Sequence, residues 1–262
     1  MDNVGTPGRL LPGAFGGRAQ HVVANALAAV AACRAVGVSA KDIRRALAAF
    51  SPGEANPGRC DMYQAGRSPV VVDYGHNAVA LEATGRMISD VWGGEPVAAV
   101  TLPGDRRDDL VSEPAEAIAA WFGRVVVYED CDRRGRRPGE MRGLIIAAMR
   151  RLRPDIVCEQ ADGPEAALRA AVRLADGGPV LFLFEKLAMA HAALDAVGAR
   201  PWPAESMTSR EGAADAPDDI SAADALPPDA LPADAVPAAA QLAAASPLTR
   251  PDRLAQWNRG HW

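Results

Sequence analysis

The chain has no uninterrupted apolar run of transmembrane length. Its opening, Met1-Asp2-Asn3-Val4-Gly5, lacks the basic-then-apolar order of a secretory signal. Paired cysteines are missing as well. Cys33, Cys60, Cys131 and Cys158 are scattered, which argues against a zinc ribbon or a disulfide framework and fits a reducing cytoplasm. The four histidines, His21, His76, His191 and His261, show no metal-ligand spacing, so no metal site is expected from them. A dominant charge is absent too. The net charge of −5 resides in residues 201–262, which hold nine acids and four bases; the 24 acids and 24 bases before them cancel. Neither part is built to attract nucleic acid by bulk electrostatics, and the acids Asp130 and Asp132 interrupt the one basic run, Arg133–Arg137.

What is present is apolar bulk. Hydrophobic residues make up 49 % of the 262 positions, enough for a sizeable core in one or two domains. Residues 1–19 are rich in Gly and Pro and read as an irregular lead-in. Gln20 to Val36 reads as a helix that is apolar on almost every face and closed by Gly37, the pattern of a helix buried against a larger body. Ser39, with Asp42 three residues on, starts a shorter helix carrying Ile43, Leu47 and Phe50. The Pro/Gly-rich link 51–58 marks a domain boundary. From there the pattern alternates. Strands are expected at 70–74, 97–102, 124–128, 155–158 and 180–184. Helices are expected near 79–91, 112–122, 138–152, 164–175 and 187–197. Such alternation predicts an α/β, Rossmann-like, mostly parallel sheet with helices on both faces. Residues 203–262 are Ala, Pro and Asp with few large apolar side chains, a composition expected to stay disordered. The organisation expected is therefore a helical segment at 1–54, an α/β domain at 55–202 and a tail at 203–262.

Four of the five expected strands end in charged or polar clusters, where parallel sheets bind ligands. Val70-Val71-Val72 runs into Asp73-Tyr74-Gly75-His76-Asn77. The second strand leads into Pro103-Gly104-Asp105-Arg106-Arg107-Asp108-Asp109. The third leads into Glu129-Asp130-Cys131-Asp132-Arg133-Arg134, and the last into Glu185-Lys186. Acids followed by a dense set of arginines can coordinate a zwitterionic or basic amino acid and a phosphate. Ahead of the first strand, the Pro57-Gly58 bend projects Arg59, either as an exposed arginine or as a guanidinium for a nucleotide phosphate or ribose. Asn25, inside the apolar helix, is either a packing amide or one that faces a purine.

The order N-A-L-A-A (25–29), P-G-R (57–59), D-Y-G-H-N (73–77) and G-D-R-R-D (104–108) resembles the Mur ligase family, which includes peptidoglycan amino-acid ligases and folylpolyglutamate synthases. The usual family string is D-Y-A-H-N-P, so Gly75 and Ala78 are departures. E-D-x-D-x-R-G-R-x-P-G-E (129–140) and F-E-K-L (184–187) are more similar to the carboxyl-terminal region of the cyanophycin synthetases. The resemblance runs from about Leu10 to Val197. It implies joining a carboxylate to an amine at the expense of ATP, with Mg2+, through an acyl phosphate that the amine displaces. It places Asn25 against adenine, Arg59 and Asp73 against ribose and phosphates, and His76 and Asn77 beside the nucleotide, with His76 the candidate catalytic group. Asp105, Arg106 and Arg107, with Glu129, Asp130, Asp132 and Arg134, become candidates for holding the amino acid, by this resemblance an arginine joined to an aspartate side chain. The family's phosphate-binding string G-x-x-G-K-[ST] does not occur in the sequence, so binding of ATP and Mg2+ by this chain alone is expected to be weak or absent. A separate chain supplying that loop is the implied partner. The competing expectation is a non-catalytic module that binds a nucleotide or an amino acid.

Overall fold

Val70, Val71 and Val72 are fully enclosed, and the strand they build lies inside a seven-stranded sheet. A computed structural model describes residues 11–202. The tail expected at 203–262 and the first ten residues of the lead-in lie outside the described residues. Helix α1 (Gln20–Ala35) and α2 (Ala40–Ala48) come first. Strands β1 (Asp61–Ala65) and β2 (Ser68–Asp73) follow, then α3 (Ala78–Trp92), β3 (Val97–Val100) and α4 (Ser112–Trp121). The chain continues through β4 (Arg124–Tyr128), α5 (Glu140–Leu152), β5 (Val157–Ala161) and α6 (Pro164–Ala175), and closes with β6 (Val180–Leu183), α7 (Leu187–Ala196) and β7 (Arg200–Pro201).

The strand order is β5-β4-β3-β6-β2-β1-β7. Neighbours from β5 through β2 run parallel, with Val71 opposite Leu181 and Ala98 opposite both Leu181 and Val125. Alternate side chains of a strand point to opposite faces, and the core divides accordingly. Val71, Ala98, Val125 and Leu181 pack under α3, α4 and α5, with Leu81, Ile118 and Ile145 from those helices. Val70, Val72, Ala99, Val126 and Phe182 pack on the other face against Leu168 of α6 and Leu194 of α7. Each such aliphatic side chain contributes about 1.5–3 kcal/mol of burial.

Two strands escaped the sequence expectation. β1 pairs antiparallel with β2 across a two-residue turn, Gly66-Arg67, and β7 adds to its far side. Asp61-Met62-Tyr63-Gln64-Ala65 is too polar to read as a buried run, and β2 itself begins on Ser68-Pro69, which hides the hairpin. β5 sits at Val157–Ala161 rather than 155–158, because an edge strand is half solvated and tolerates Glu159 and Gln160.

α1 differs most from expectation. The helix forms, and it ends as Gly37 predicts: Gly37 has φ +86°, its N–H meets the Arg34 carbonyl at 3.0 Å, and the Val38 N–H meets that of Cys33 at 3.0 Å. Yet none of its residues is buried, and Leu27 is 62 % exposed. A sequence pattern reports what a helix can bury, and within residues 11–202 little covers this one. α2 starts as expected, with the Ser39 hydroxyl oxygen accepting the Asp42 N–H at 3.1 Å.

Candidate functional site

β2, β6, β3 and β4 run the same way, so the loops that follow them open on one edge of the sheet. At that edge, facing α1 and α2, lies a cleft of about 950 Å³. One wall is apolar, with Val22, Ala26, Leu47 and Phe50. The other carries Arg59, Asp73, His76, Asn77 and Arg106, and Asn25 of α1 also lines it.

The polar wall is built around the end of β2. Asp73 is buried; its Oδ1 accepts the Gly75 N–H at 2.5 Å and its Oδ2 accepts the Cys60 thiol at 2.7 Å. A Cβ on Gly75 would come within 2.9 Å of both that Oδ1 and the Ala80 Cβ. The departure from the family string at this position thus has a local cause: the Asp73 carboxylate folds back over Gly75. The Gly58 carbonyl accepts the Tyr74 N–H at 3.0 Å, which fastens the Pro57-Gly58 bend to the strand end. Arg59 follows that bend, its guanidinium carbon 4.9 Å from the Tyr74 ring centroid. Asn77 is the N-cap of α3, its Oδ1 accepting the Ala80 N–H at 2.9 Å.

His76 is 8 % exposed, and its Nε2 is buried without a hydrogen-bond partner among the described residues. Burial, helped by the Arg106 charge, pushes its pKa down to about 4, so the ring is neutral at pH 7. Arg106 donates through Nη2 to the His76 carbonyl at 2.8 Å. Deeper in the cleft, Cys60 stands at φ +54°, with His21 Nε2 3.4 Å from its sulfur. Burial, then the Asp73 charge, raise the thiol well above its ordinary range. Burial lowers the His21 pKa, against the pull of Asp73.

A second polar group adjoins the cleft. Arg134, from the loop after β4, contacts Asp105 Oδ1 at 2.8 Å through Nη1 and Glu185 Oε2 at 2.9 Å through Nη2. Three loops are thereby tied by one guanidinium. The Glu185 side chain is 3 % exposed; burial pushes its pKa up to about 7, with Arg134 holding it back. Asp132 Oδ1 accepts the Arg134 N–H at 3.1 Å and seats that residue at φ +48°. Asp130 Oδ1 accepts the Asp132 N–H at 3.0 Å and lies 3.4 Å from Lys186 Nζ. Burial works to raise its pKa, but these partners outweigh it and hold the group below its ordinary value. Gly104 completes the contact between loops, since a Cβ there would collide with the Arg133 carbonyl.

The structure therefore brings Asn25, Arg59, Asp73, His76, Asn77 and Arg106 to one cleft, with Asp105, Arg134 and Glu185 beside it. Of the expected amino-acid residues, one stands elsewhere and one, beside Asp130 and Asp132, is committed to backbone groups. Arg107 pairs with Asp109 at 2.6 Å on the exposed surface. Glu129 uses both oxygens on the start of α5, accepting N–H groups from Gly139 at 2.8 Å and Met141 at 3.1 Å. Sequence reasoning missed Cys60, His21 and Arg136. The β1–β2 register, Asp61 opposite Val72, is the signal that brings Cys60 alongside Asp73. Among the described residues no group of three His, Cys, Asp or Glu side chains could hold a metal ion; Mg2+ here would need phosphate oxygens and water among its ligands. No described helix is long and apolar enough to cross a membrane.

The family model for the Mur ligase glutamate ligase domain matches residues 58–184. The chain is similar to a cyanophycin synthetase of Synechocystis sp., 35 % identical over 164 residues that cover 62 % of this chain and 19 % of that protein. It is also similar to a cyanophycin synthetase of Crocosphaera subtropica, 39 % identical over 137 residues that cover 52 % of this chain and 16 % of that one. The chain thus matches about a fifth of the length of these curated relatives. Among solved structures, the Mycobacterium tuberculosis folylpolyglutamate synthase complexed with ADP aligns over 63 % of this chain and 37 % of its own, at 21 % identity and a TM-score of 0.47.

Proposed function

We propose, from the match of residues 58–184 to the Mur ligase glutamate ligase domain, that the chain supplies the carboxyl-terminal side of an ATP-dependent amino-acid ligase. The observation that carries this reading is the cleft itself: Asn25, Arg59, Asp73, His76 and Arg106 are distant in sequence, yet all line it. Its two walls suit the two halves of a nucleotide. An adenine ring finds apolar surface at Val22, Ala26 and Phe50 with one amide, Asn25, in the same wall. Phosphates find Arg59 and Arg106 on the other side.

When bound, ATP supplies the phosphoryl group that activates a carboxylate for attack by an amine. The residues of this chain orient and neutralise. The arginines offset phosphate charge, Arg59 from an exposed position and Arg106 from a half-buried one. Neutral His76 can accept or donate one hydrogen bond without adding charge. The loops at 104–105 and 130–134 flank the cleft on the side where an amine-bearing amino acid would enter. Their carboxylates, Asp105, Asp130 and Asp132, together with Glu185 after β6, favour a basic one, which agrees with the arginine-to-aspartate chemistry implied by the resemblance.

Catalysis then depends on a partner chain that carries the phosphate-binding loop and the magnesium ligands. The chain alone is expected to show no ATP-dependent phosphate release with arginine and a carboxylate acceptor, and to regain it when that partner is added. Saturable backbone shifts around Asn25 and His76 on titrating ADP into the chain are the direct check of the cleft. Release of phosphate by the chain alone, or no shift at any ADP concentration, would overturn the corresponding half of the proposal. A second reading is a nucleotide-binding module without catalysis, for which the cleft lined by Asn25, Arg59 and Arg106 would suffice. It predicts ADP shifts but no activity with any partner.

A further inference from the structure

Arg136 does not line the cleft, yet its guanidinium is spent on the loop that does. The side chain is 14 % exposed. Its Nε donates to the Gly104 carbonyl at 2.6 Å, and its Nη2 donates to the Arg106 carbonyl and lies 2.7 Å from Asp108 Oδ1. Its Nη1 meets Glu140 Oε1, in the first turn of α5, at 2.9 Å. Four acceptors from two stretches of chain, the 104–108 loop and the start of α5, converge on one rigid fork. The residue it grips, Arg106, turns its own guanidinium the other way, onto the His76 carbonyl at 2.8 Å.

We propose that Arg136 is a positioning residue for the cleft: by fixing the backbone at Gly104 and Arg106 it holds the Arg106 guanidinium against the His76 segment. The proposal rests on reading the cleft as the nucleotide site, since only then does this placement serve binding. A relay of two arginines joins the loop after β4, on the amino-acid side, to the strand end on the nucleotide side. Its links are Glu140–Arg136, Arg136–Arg106 carbonyl and Arg106–His76 carbonyl. A lysine cannot replace the fork, because one ammonium cannot reach two carbonyls and two carboxylates in a plane. Gly104 belongs to the same device, since its missing side chain lets the Arg133 carbonyl close down on it.

The strongest charge effects on His76 are those of Arg106, then Arg59 and Arg134. Arg136 is not among them, and its hydrogen bond to the Arg106 carbonyl is its link towards His76. The His76 ring titration, followed by NMR in the full 262-residue chain, therefore reads the relay. R106Q is expected to raise the His76 midpoint by about half a pH unit or more. R136Q is expected to raise it similarly, and R106Q/R136Q no further than R106Q alone. R136K, which keeps the charge and loses the fork, is expected to behave as R136Q does, and it decides the matter should R136Q fail to fold. A lowered melting temperature with an unchanged His76 midpoint in these Arg136 variants would overturn the proposal, as would additive shifts in the double variant. MgADP titrated into the wild-type chain separates the two claims. No saturable shift would sink the nucleotide reading, while the His76 titrations would still decide the role of Arg136.

Discussion

Arg134 Nη2 lies 2.9 Å from Glu185 Oε2, joining residues 51 positions apart around a carboxylate that is almost fully enclosed. The pairing does not keep that carboxylate ionised at all pH values, because burial outweighs it and moves the group up to about 7.

The pH dependence of stability follows from Glu185 and His76 together. Glu185, raised from 4.5 to about 7, contributes stability that is full below pH 4.5 and is lost as pH rises through 7. His76, lowered from 6.5 to about 4, contributes stability that is full above pH 6.5 and is lost as pH falls through 4. Between pH 4.5 and 6.5 the two slopes oppose. In Glu185→Gln the His76 slope stands alone, so its stability relative to wild type should climb between pH 4.5 and 7, by up to about 3 kcal/mol. Urea unfolding across that range checks this; parallel curves for variant and wild type would refute it.

Thiol reactivity should separate two cysteines. Cys60 is half-buried, hydrogen-bonded to Asp73 and raised in pKa, so it should react slowly with a disulfide reagent at pH 8. Cys131 is exposed and 3.8 Å from Lys186 Nζ, and should react first. Cys60→Ala removes a donor from a buried carboxylate and should cost about 1–3 kcal/mol, whereas Cys60→Ser retains a donor and should cost less. Equal losses in the two variants would argue against the thiol–carboxylate bond.

Two glycines offer a contrast. A Cβ at Gly104 collides with the Arg133 carbonyl, while one at Gly143 in α5 meets nothing within 4 Å. Gly104→Ala should destabilise the chain by about 1–3 kcal/mol and shift the amides of residues 133–136. Gly143→Ala should be neutral or gain up to about 1 kcal/mol of helix propensity. Calorimetry and amide spectra distinguish the outcomes.

Leucines on the two sides of the exposure scale should differ likewise. Leu168 is fully enclosed on the inner face of α6, so Leu168→Ala should cost about 2–5 kcal/mol. Leu27→Ala, at a largely exposed site, should change stability by no more than about 0.5 kcal/mol. A large loss for Leu27→Ala would show that α1 is covered in solution.

The parallel part of the sheet was legible because Val70–Val72, Ala98–Val100, Val125–Val127 and Val180–Leu183 are continuous apolar runs, as doubly covered strands require. β1 and β7 were not, since a strand near the margin of a sheet needs no apolar code and only Met62 and Ala65 carry an apolar burial signal in the former. In the cleft, the polar cluster after β2 announced itself by position. Cys60 did not, because its role depends on a cross-strand register that no local pattern reveals. Glu129 and Arg107 looked equivalent to their neighbours in sequence. Only the start of α5 distinguishes Glu129, and only the 3₁₀ turn at Asp108–Leu110 carries Arg107 away.

The sheet is bounded on one side by β7, a strand of two residues, and on the other by β5, where Glu159 is bridged to Arg173 at 2.7 Å. An open margin of unpaired backbone invites another molecule to add its own strand. Among the described residues one margin is only two residues long, and the other carries the charged Glu159 with its partner Arg173, the kind of edge charge that discourages an added strand. Ladder-wise growth from copy to copy, the usual route from an open sheet to a fibril, is disfavoured at both borders of this fold.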